Sequence, residues 1–180
     1  MPMISLCGVS FVALVAVAST SIAHAAPSGS ASKAATACAA PEYRQFDFFA
    51  GDWDTYDADA LNKVIARNKV DVILAGCVVQ EDYRQNDGHH GESYSIYDAE
   101  HGIWHQTWVT NRGELLLLNG GMQGDQMTLT GSQKTTDRKS SLLRGVWYRQ
   151  GSGVRETATR STDGGKTWKP VFDIVFMPHQ

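Results

Sequence analysis

The stretch Ile103-Trp104-His105-Gln106-Thr107-Trp108-Val109 holds the residue types best suited to a site. Read with a period of two, Trp104, Gln106 and Trp108 share one face, and Ile103, His105, Thr107 and Val109 take the other. Two indoles flanking an amide differ from a dry core, which favours aliphatic side chains. They suit a small-molecule pocket, where apolar walls carry a few placed polar groups. Trp147 and Arg149 repeat the theme later in the chain, and Glu81 lies two positions from Val79 on one side and Tyr83 on the other. With Trp53, these residues define a candidate lining: Trp53, Glu81, Gln106, Trp108, Trp147 and Arg149. A competing arrangement has the indoles packed as core and Glu81, Gln106 and Arg149 hydrogen-bonded to one another.

Other chemistries find less support. Asp52, Asp54, Asp57 and Asp59 cluster, but Asp52 and Asp54 fall on the face opposite Trp53 and should be solvated if that indole points inward. The histidine pairs His89-His90 and His101/His105 lack the spacing of a zinc site, so no metal and no cofactor is expected. No C-x-x-C is present, which removes the usual signature of thiol catalysis. The segment Ser161-Thr162-Asp163-Gly164-Gly165-Lys166-Thr167-Trp168 matches the Asp-box pattern S-x-D-x-G-x-T-W of sialidases and other propellers. Propellers carry several copies and this chain carries one. The expected role is structural: the Asp163 carboxylate accepts backbone N–H bonds, Gly165 takes positive φ and Trp168 plugs the hairpin.

The elements that must position these residues are strands. Between Glu42 and Lys169 there is no proline, and 15 of the 17 glycines lie beyond Pro41, a distribution that suits long ladders joined by tight turns. Strands are predicted at 52–58, 63–74, 77–84, 92–98, 103–110, 114–118, 126–132, 142–149, 154–161 and 167–176. Turns are predicted at Asp87-Gly88, His101-Gly102, Arg112-Gly113, Gly124-Asp125, Gly151-Ser152-Gly153 and Gly164-Gly165. Within 61–74, helical spacing of Leu61, Val64, Ile65, Asn68 and Val72 competes with alternation of Val70, Val72 and Leu74; the β-branched alternation favours strand. Connections this short imply sequential antiparallel neighbours. About eight to ten such strands leave two exposed edges unless they close, so the fold predicted is an all-β, antiparallel up-and-down barrel. Ahead of it, Pro41-Glu42 with Tyr43, Phe46 and Phe49, and Gly51 as terminator, predicts one short capping helix of two to three turns.

The first 25 residues carry no Lys, Arg, Asp or Glu, and the mostly apolar Val9–Ala18 is followed by Ala23-His24-Ala25. A bilayer span takes ~20 apolar residues, so this reads as a secretory signal peptide cleaved near Ala25, with an uncleaved short anchor as the alternative. Residues 26–40, rich in Ala and Ser, read as a flexible linker. Residues 41–180 then form one domain, placed in the periplasm or outside the cell. The net charge of −3 and the scattered basic residues give no footprint for nucleic acid or anionic lipid. Stable membrane insertion after cleavage is not expected, and the oligomeric state is left open. An exported chain with Cys38 and Cys77 suggests a disulfide worth ~4 kcal/mol by loop-closure entropy, against the alternative of two free thiols.

With these residues in view, the chain resembles the bacterial family of exported barrels known as domain of unknown function 1579. The match runs from about Tyr43 to Phe176. It is carried by Phe46-Asp47-Phe48 with Gly51-Asp52-Trp53-Asp54, by Gly76-Cys77 followed by Glu81, by Gln106-Thr107-Trp108-Val109, and by Ser161 to Trp168. The resemblance implies a calycin-like barrel of the lipocalin and nitrobindin kind, in which Gly51-Asp52-Trp53 is similar to the G-x-W that opens a lipocalin's first strand and closes the barrel bottom. The chain departs from the family at Phe49, where a Trp is usual, and at Ala158-Thr159, where a Trp-Glu pair is usual. No ligand specificity is carried across, and the resemblance implies no established activity. Three functions stay open: binding of a small apolar or amphipathic ligand, an enzyme using Glu81 as a buried acid or base, and a filled barrel acting as an envelope interaction module.

Overall fold

In a computed structural model that describes residues 37–135 and 137–180, the chain closes into a barrel of ten antiparallel strands. The strands are β1 (Gly51–Asp57), β2 (Ala60–Ile73), β3 (Val78–Gln85), β4 (His90–Asp98), β5 (Ile103–Thr110), β6 (Leu115–Gln123), β7 (Gln126–Lys134), β8 (Ser140–Gln150), β9 (Gly153–Ser161) and β10 (Lys169–Pro178). Each pairs with the strand before it, and β1 pairs with β10 with Trp53 opposite Pro178. Closure leaves no free edge, as the strand count required. The predicted signal peptide 1–25 and residues 26–36 of the linker lie outside the described residues.

Alternation sets which side chains enter the lumen. In β8, Ser141, Leu143, Gly145 and Trp147 are buried while Leu142, Arg144, Val146 and Tyr148 are less so. The contested segment is strand: Ala66, Asn68 and Val70 of β2 are buried in alternation, and Leu61 of the helical set is exposed. Burial of every second residue over 66–70 satisfies a sheet's period, but of the alternating Val70, Val72 and Leu74 only Val70 is buried, since Val72 is exposed and Leu74 lies past the end of β2.

One strand outruns its expected limit. β6 continues past Leu118 through Asn119-Gly120-Gly121 to Gln123, although that triplet has turn chemistry. Gly120 supplies the reason: a Cβ there would sit 2.1 Å from the Thr128 carbonyl oxygen, so its absence lets β6 and β7 approach closely.

The short helix before β1 consists of two 3-10 turns, Pro41–Arg44 and Asp47–Phe49. At three residues per turn, Phe46 and Phe49 eclipse each other and both enter the barrel end. The Cys38–Cys77 disulfide ties the segment ahead of these turns to the β2–β3 connection, and an Arg44 guanidinium N–H donates to the Gly76 carbonyl. That connection is conformationally costly, because Leu74 and Ala75 have φ of 49° and 56°, in the left-handed region.

Candidate functional site

The lumen changes character along its axis. At the end capped by the 3-10 turns it is filled with aromatics. Phe46 stacks on Phe49 with ring centroids 5.5 Å apart and meets Trp104 and Trp147 edge-on at 5.7 and 5.6 Å. Phe49 packs on Phe176 at 5.2 Å. The indole N–H groups are satisfied locally: Trp53 Nε1 donates to the Phe49 carbonyl and Trp104 Nε1 to Gln45 Oε1, each at 3.0 Å. Full burial of each such ring stabilises the fold by ~1.5–3 kcal/mol relative to exposure, so this end is a structural floor.

Tyr83, Trp108 and Leu116 towards the far end, and Glu156 and Ile174 at mid-strand, face inward yet keep accessible surface. Trp108 lies flat on the wall, because a Cβ on Gly91 of the neighbouring strand would fall 2.2 Å from its ring. Trp53 over Gly51 and Trp147 over Gly145 are seated the same way. An indole laid against a glycine takes up wall rather than lumen.

Between floor and far half lies a chain of buried polar groups. Asn68 Nδ2 donates to Glu81 Oε1 at 2.9 Å, Ser93 Oγ to Glu81 Oε2 at 2.9 Å, and Gln106 Nε2 to Ser93 Oγ at 3.3 Å. Strand register builds it, since Glu81 lies opposite Ser93 on β4 and Asn68 lies opposite Tyr83, two residues from Glu81. Four buried polar atoms on inward-facing positions of the barrel have no partner: Asn68 Oδ1 in this chain, and Thr55 Oγ1, Trp147 Nε1 and Arg160 Nε elsewhere along the lumen. Leaving a buried polar atom unsatisfied costs ~1–3 kcal/mol, which makes four in one lumen unusual for packing alone.

Glu156 brings a second carboxyl to the lumen. It lies on β9 between Val154 and Ala158, both buried, and opposite Trp147 on β8. Desolvation, more than any other cause, holds the Glu81 carboxyl up to about 7 against the lowering effect of Ser93 and Asn68; Asp82 adds a smaller upward push. Desolvation and then the Glu81 charge push Glu156 well above the usual carboxylate range. The Trp147 N–H is near enough to pull Glu156 down slightly, but it lies outside hydrogen-bond geometry. Burial, Glu156 and Glu81 all raise the Tyr83 phenol as well. No Lys, Arg or His forms an ion pair with Glu81 or Glu156 among the described residues, so near neutrality the lumen holds two carboxyls that resist ionising together.

Five of the six predicted lining residues face the lumen: Trp53 at the floor, Trp147 beside Glu156, Glu81 and Gln106 in the polar chain, and Trp108 on the far wall. Arg149 does not. It has the inward parity of β8 but lies one residue from that strand's end, where it is exposed and its guanidinium sits 5.5 Å over the Phe48 ring. Glu81 therefore reaches Gln106 through Ser93, without Arg149. Open clefts of about 440 Å³, beside Gln150–Gly153, and about 350 Å³, beside Arg44 and Arg149, lie on the rim and hold none of the lumen carboxyls.

The remaining motifs are structural. Asp163 accepts N–H bonds from Lys166 and Thr167 at 3.0 and 2.9 Å and hydroxyl bonds from Ser161 and Thr167. Gly165 has φ of 91°, and Trp168 donates to its carbonyl while carrying Arg144 3.8 Å above its ring. Asp52 and Asp54 lie outside the barrel, but they are paired rather than simply solvated: Arg67 reaches them at 2.5 and 2.9 Å, and His179 reaches Asp54 at 3.0 Å. His90, His101 and His105 engage Asp82, Asp98 and Asn119, and among the described residues no cluster of three or more ligating side chains could hold a metal.

Reading by sequence missed Asn68, Ser93, Thr55 and Glu156. The signal for Glu156 is its parity: with Val154 and Ala158 buried on β9, residue 156 faces the same side. No family model matches the chain, and no curated protein is significantly similar to it.

Proposed function

We propose that the protein binds a small molecule in the far half of its lumen, apolar part against Trp108, Leu116 and Ile174, polar end on the chain Asn68–Glu81–Ser93–Gln106. One observation carries this: a buried hydrogen-bonded row that leaves polar atoms unpaired beside inward side chains that keep accessible surface. A ligand would supply the missing partners. The protein is read as exported, on the leader sequence and on a disulfide compatible with an oxidising compartment. Membership of the exported-barrel family is part of the same reading and rests on the four motifs in order.

The test is native mass spectrometry of protein purified without denaturation, joined to thermal shift across lipids and metabolites. A non-covalent adduct, or a ligand that raises Tm, is the expected result. A clean apo mass with no shift by any compound would leave the filled, interaction-module reading in its place.

A second reading draws on one observation, a Glu81 carboxyl poised near neutrality, which suits general acid–base work. Under it, Glu81→Gln abolishes turnover of any compound found bound, and equal turnover in the variant would end it.

A further inference from the structure

We infer that the occupant of the lumen is an organic cation, an amine with an apolar body, whose ammonium group sits between Glu81 and Glu156. The inference rests on the small-molecule reading above and adds the charge of the ligand.

Glu81 reaches in from β3 and Glu156 from β9, on opposite flanks of the β2–β1–β10 wall. The groups around Glu81 are Asn68 from β2, Ser93 from β4, and Tyr83 and Asp82 on its own strand; Glu156 has inward parity on β9, opposite Trp147 on β8, and feels the Glu81 charge. Among these Asp82, Tyr83 and Glu156 titrate, and none is cationic. Arg160 shares the inward parity of β9 four residues further along; one of its terminal nitrogens donates to Gln133 Oε1, its buried Nε has no partner among the described residues, and it forms no ion pair with either glutamate. A buried carboxyl such as Glu81 is normally matched by a cation, and the partly buried Glu156 adds to the desolvation cost unless something neutralises the pair. Without a cation, protons do that work. A bound ammonium would replace them.

Two of the lumen's unpartnered atoms are acceptors that suit this guest, whereas the Trp147 Nε1 and Arg160 Nε donors are not served by it. Asn68 Oδ1 is an acceptor with no donor, fully buried, on the side chain whose amide already holds Glu81. Thr55 Oγ1, also fully buried, can accept. An ammonium offers donors for such acceptors and no acceptor of its own, whereas a carboxylate ligand would place a third negative group beside two carboxyls. The walls suit the same guest: Tyr83 and Trp108 meet edge-on at 6.2 Å, and their π faces favour a cation at close range.

The experiment uses two sets of isosteric probes on the intact protein: tryptamine, tryptophol and indole-3-acetate, and octylamine, octanol and octanoate. Calorimetry at pH 6 and pH 8, in buffers of different ionisation enthalpy, reads affinity and proton release. At pH 8 the amine of at least one set should bind at least about tenfold tighter than its alcohol and carboxylate. It should bind about tenfold more weakly at pH 6 and release up to about one proton on binding at pH 6. Glu81→Gln and Glu156→Gln should each erase the amine's advantage while far-ultraviolet dichroism and the disulfide stay intact. If an alcohol or carboxylate binds as tightly as its amine, the cation inference fails and the binding reading stands. If neither amine binds, the inference also fails, and the native mass decides the binding reading separately. If the amine advantage survives in both Gln variants, the site is elsewhere and the inference is overturned.

Discussion

Glu81 and Glu156, three-quarters of a hundred residues apart in the chain, both take the inward parity of their strands, β3 and β9, and the charge of Glu81 raises the pKa of Glu156. Neither has a cationic partner among the described residues, so the folded protein keeps protons that the unfolded chain would release. The pH dependence of stability follows from this. Glu81 holds its proton up to about 7 when folded and to 4.5 when unfolded, so across that window the unfolded chain binds fewer protons and stability falls as pH rises. The drop is about 3 kcal/mol from Glu81, with Glu156 adding in the same direction. Denaturant titrations at pH 4.5 and pH 8 check it. Glu81→Gln, which can keep the hydrogen bonds to Asn68 and Ser93, should match the wild type at the lower pH and exceed it by up to about 3 kcal/mol at the higher.

Two glycines that carry indoles should respond differently to the same change. At Gly51 a Cβ would meet the Trp53 ring at 2.3 Å, and that ring is locked into the floor by its bond to Phe49. Gly51→Ala should cost about 1–3 kcal/mol in chemical denaturation. Trp108 is free to tilt inward, so Gly91→Ala should cost less stability and instead shrink the lumen. Ligand affinity would then fall by more than stability does, read by calorimetry beside denaturation.

The β2–β3 connection offers a gain. Ala75 has φ of 56°, where glycine carries no Cβ penalty. Ala75→Gly should stabilise the protein by about 1 kcal/mol, less the added entropy of the unfolded chain, measured as a rise in denaturation midpoint.

Removing the Cys38–Cys77 bond should destabilise by about 4 kcal/mol, since it closes a loop of 39 residues. Reduction of the wild type and a double Cys→Ser variant should give the same midpoint. Because the bond anchors the segment ahead of Phe46, the variant should also show greater solvent quenching of Trp104 and Trp147, which that phenylalanine touches.

Much of the barrel was legible because its rules are local. Period-two alternation, glycine turns and missing prolines place ten strands in order, and short connections dictate their pairing. The site was less legible, because a polar lumen inverts the cue that alternation normally supplies. On β4, Ser93 and Ser95 are buried while Tyr94 and Ile96 are exposed, so hydrophobicity alone assigns the wrong face. Asn68 hid for the same reason among the valines of β2. Glu81 was visible because Val79 and Tyr83 share its face. Arg149 was misplaced because parity tells which way a side chain points and not whether the wall still extends beside it.

The seam between β1 and β10 sets an order on assembly. Every other strand pair joins neighbours in sequence, but Trp53 meets Pro178 and Asp57 meets Ile174 across nearly the whole domain. Each hairpin closes a short loop, whereas this pair needs both β1 and β10 in place and bears the largest loop-closure entropy. Until β10 is made, the growing sheet has two open edges and the carboxyls of β3 and β9 lie on a surface in water. The seam is where the container shuts, so the unmatched acids are desolvated only when β10 joins β1.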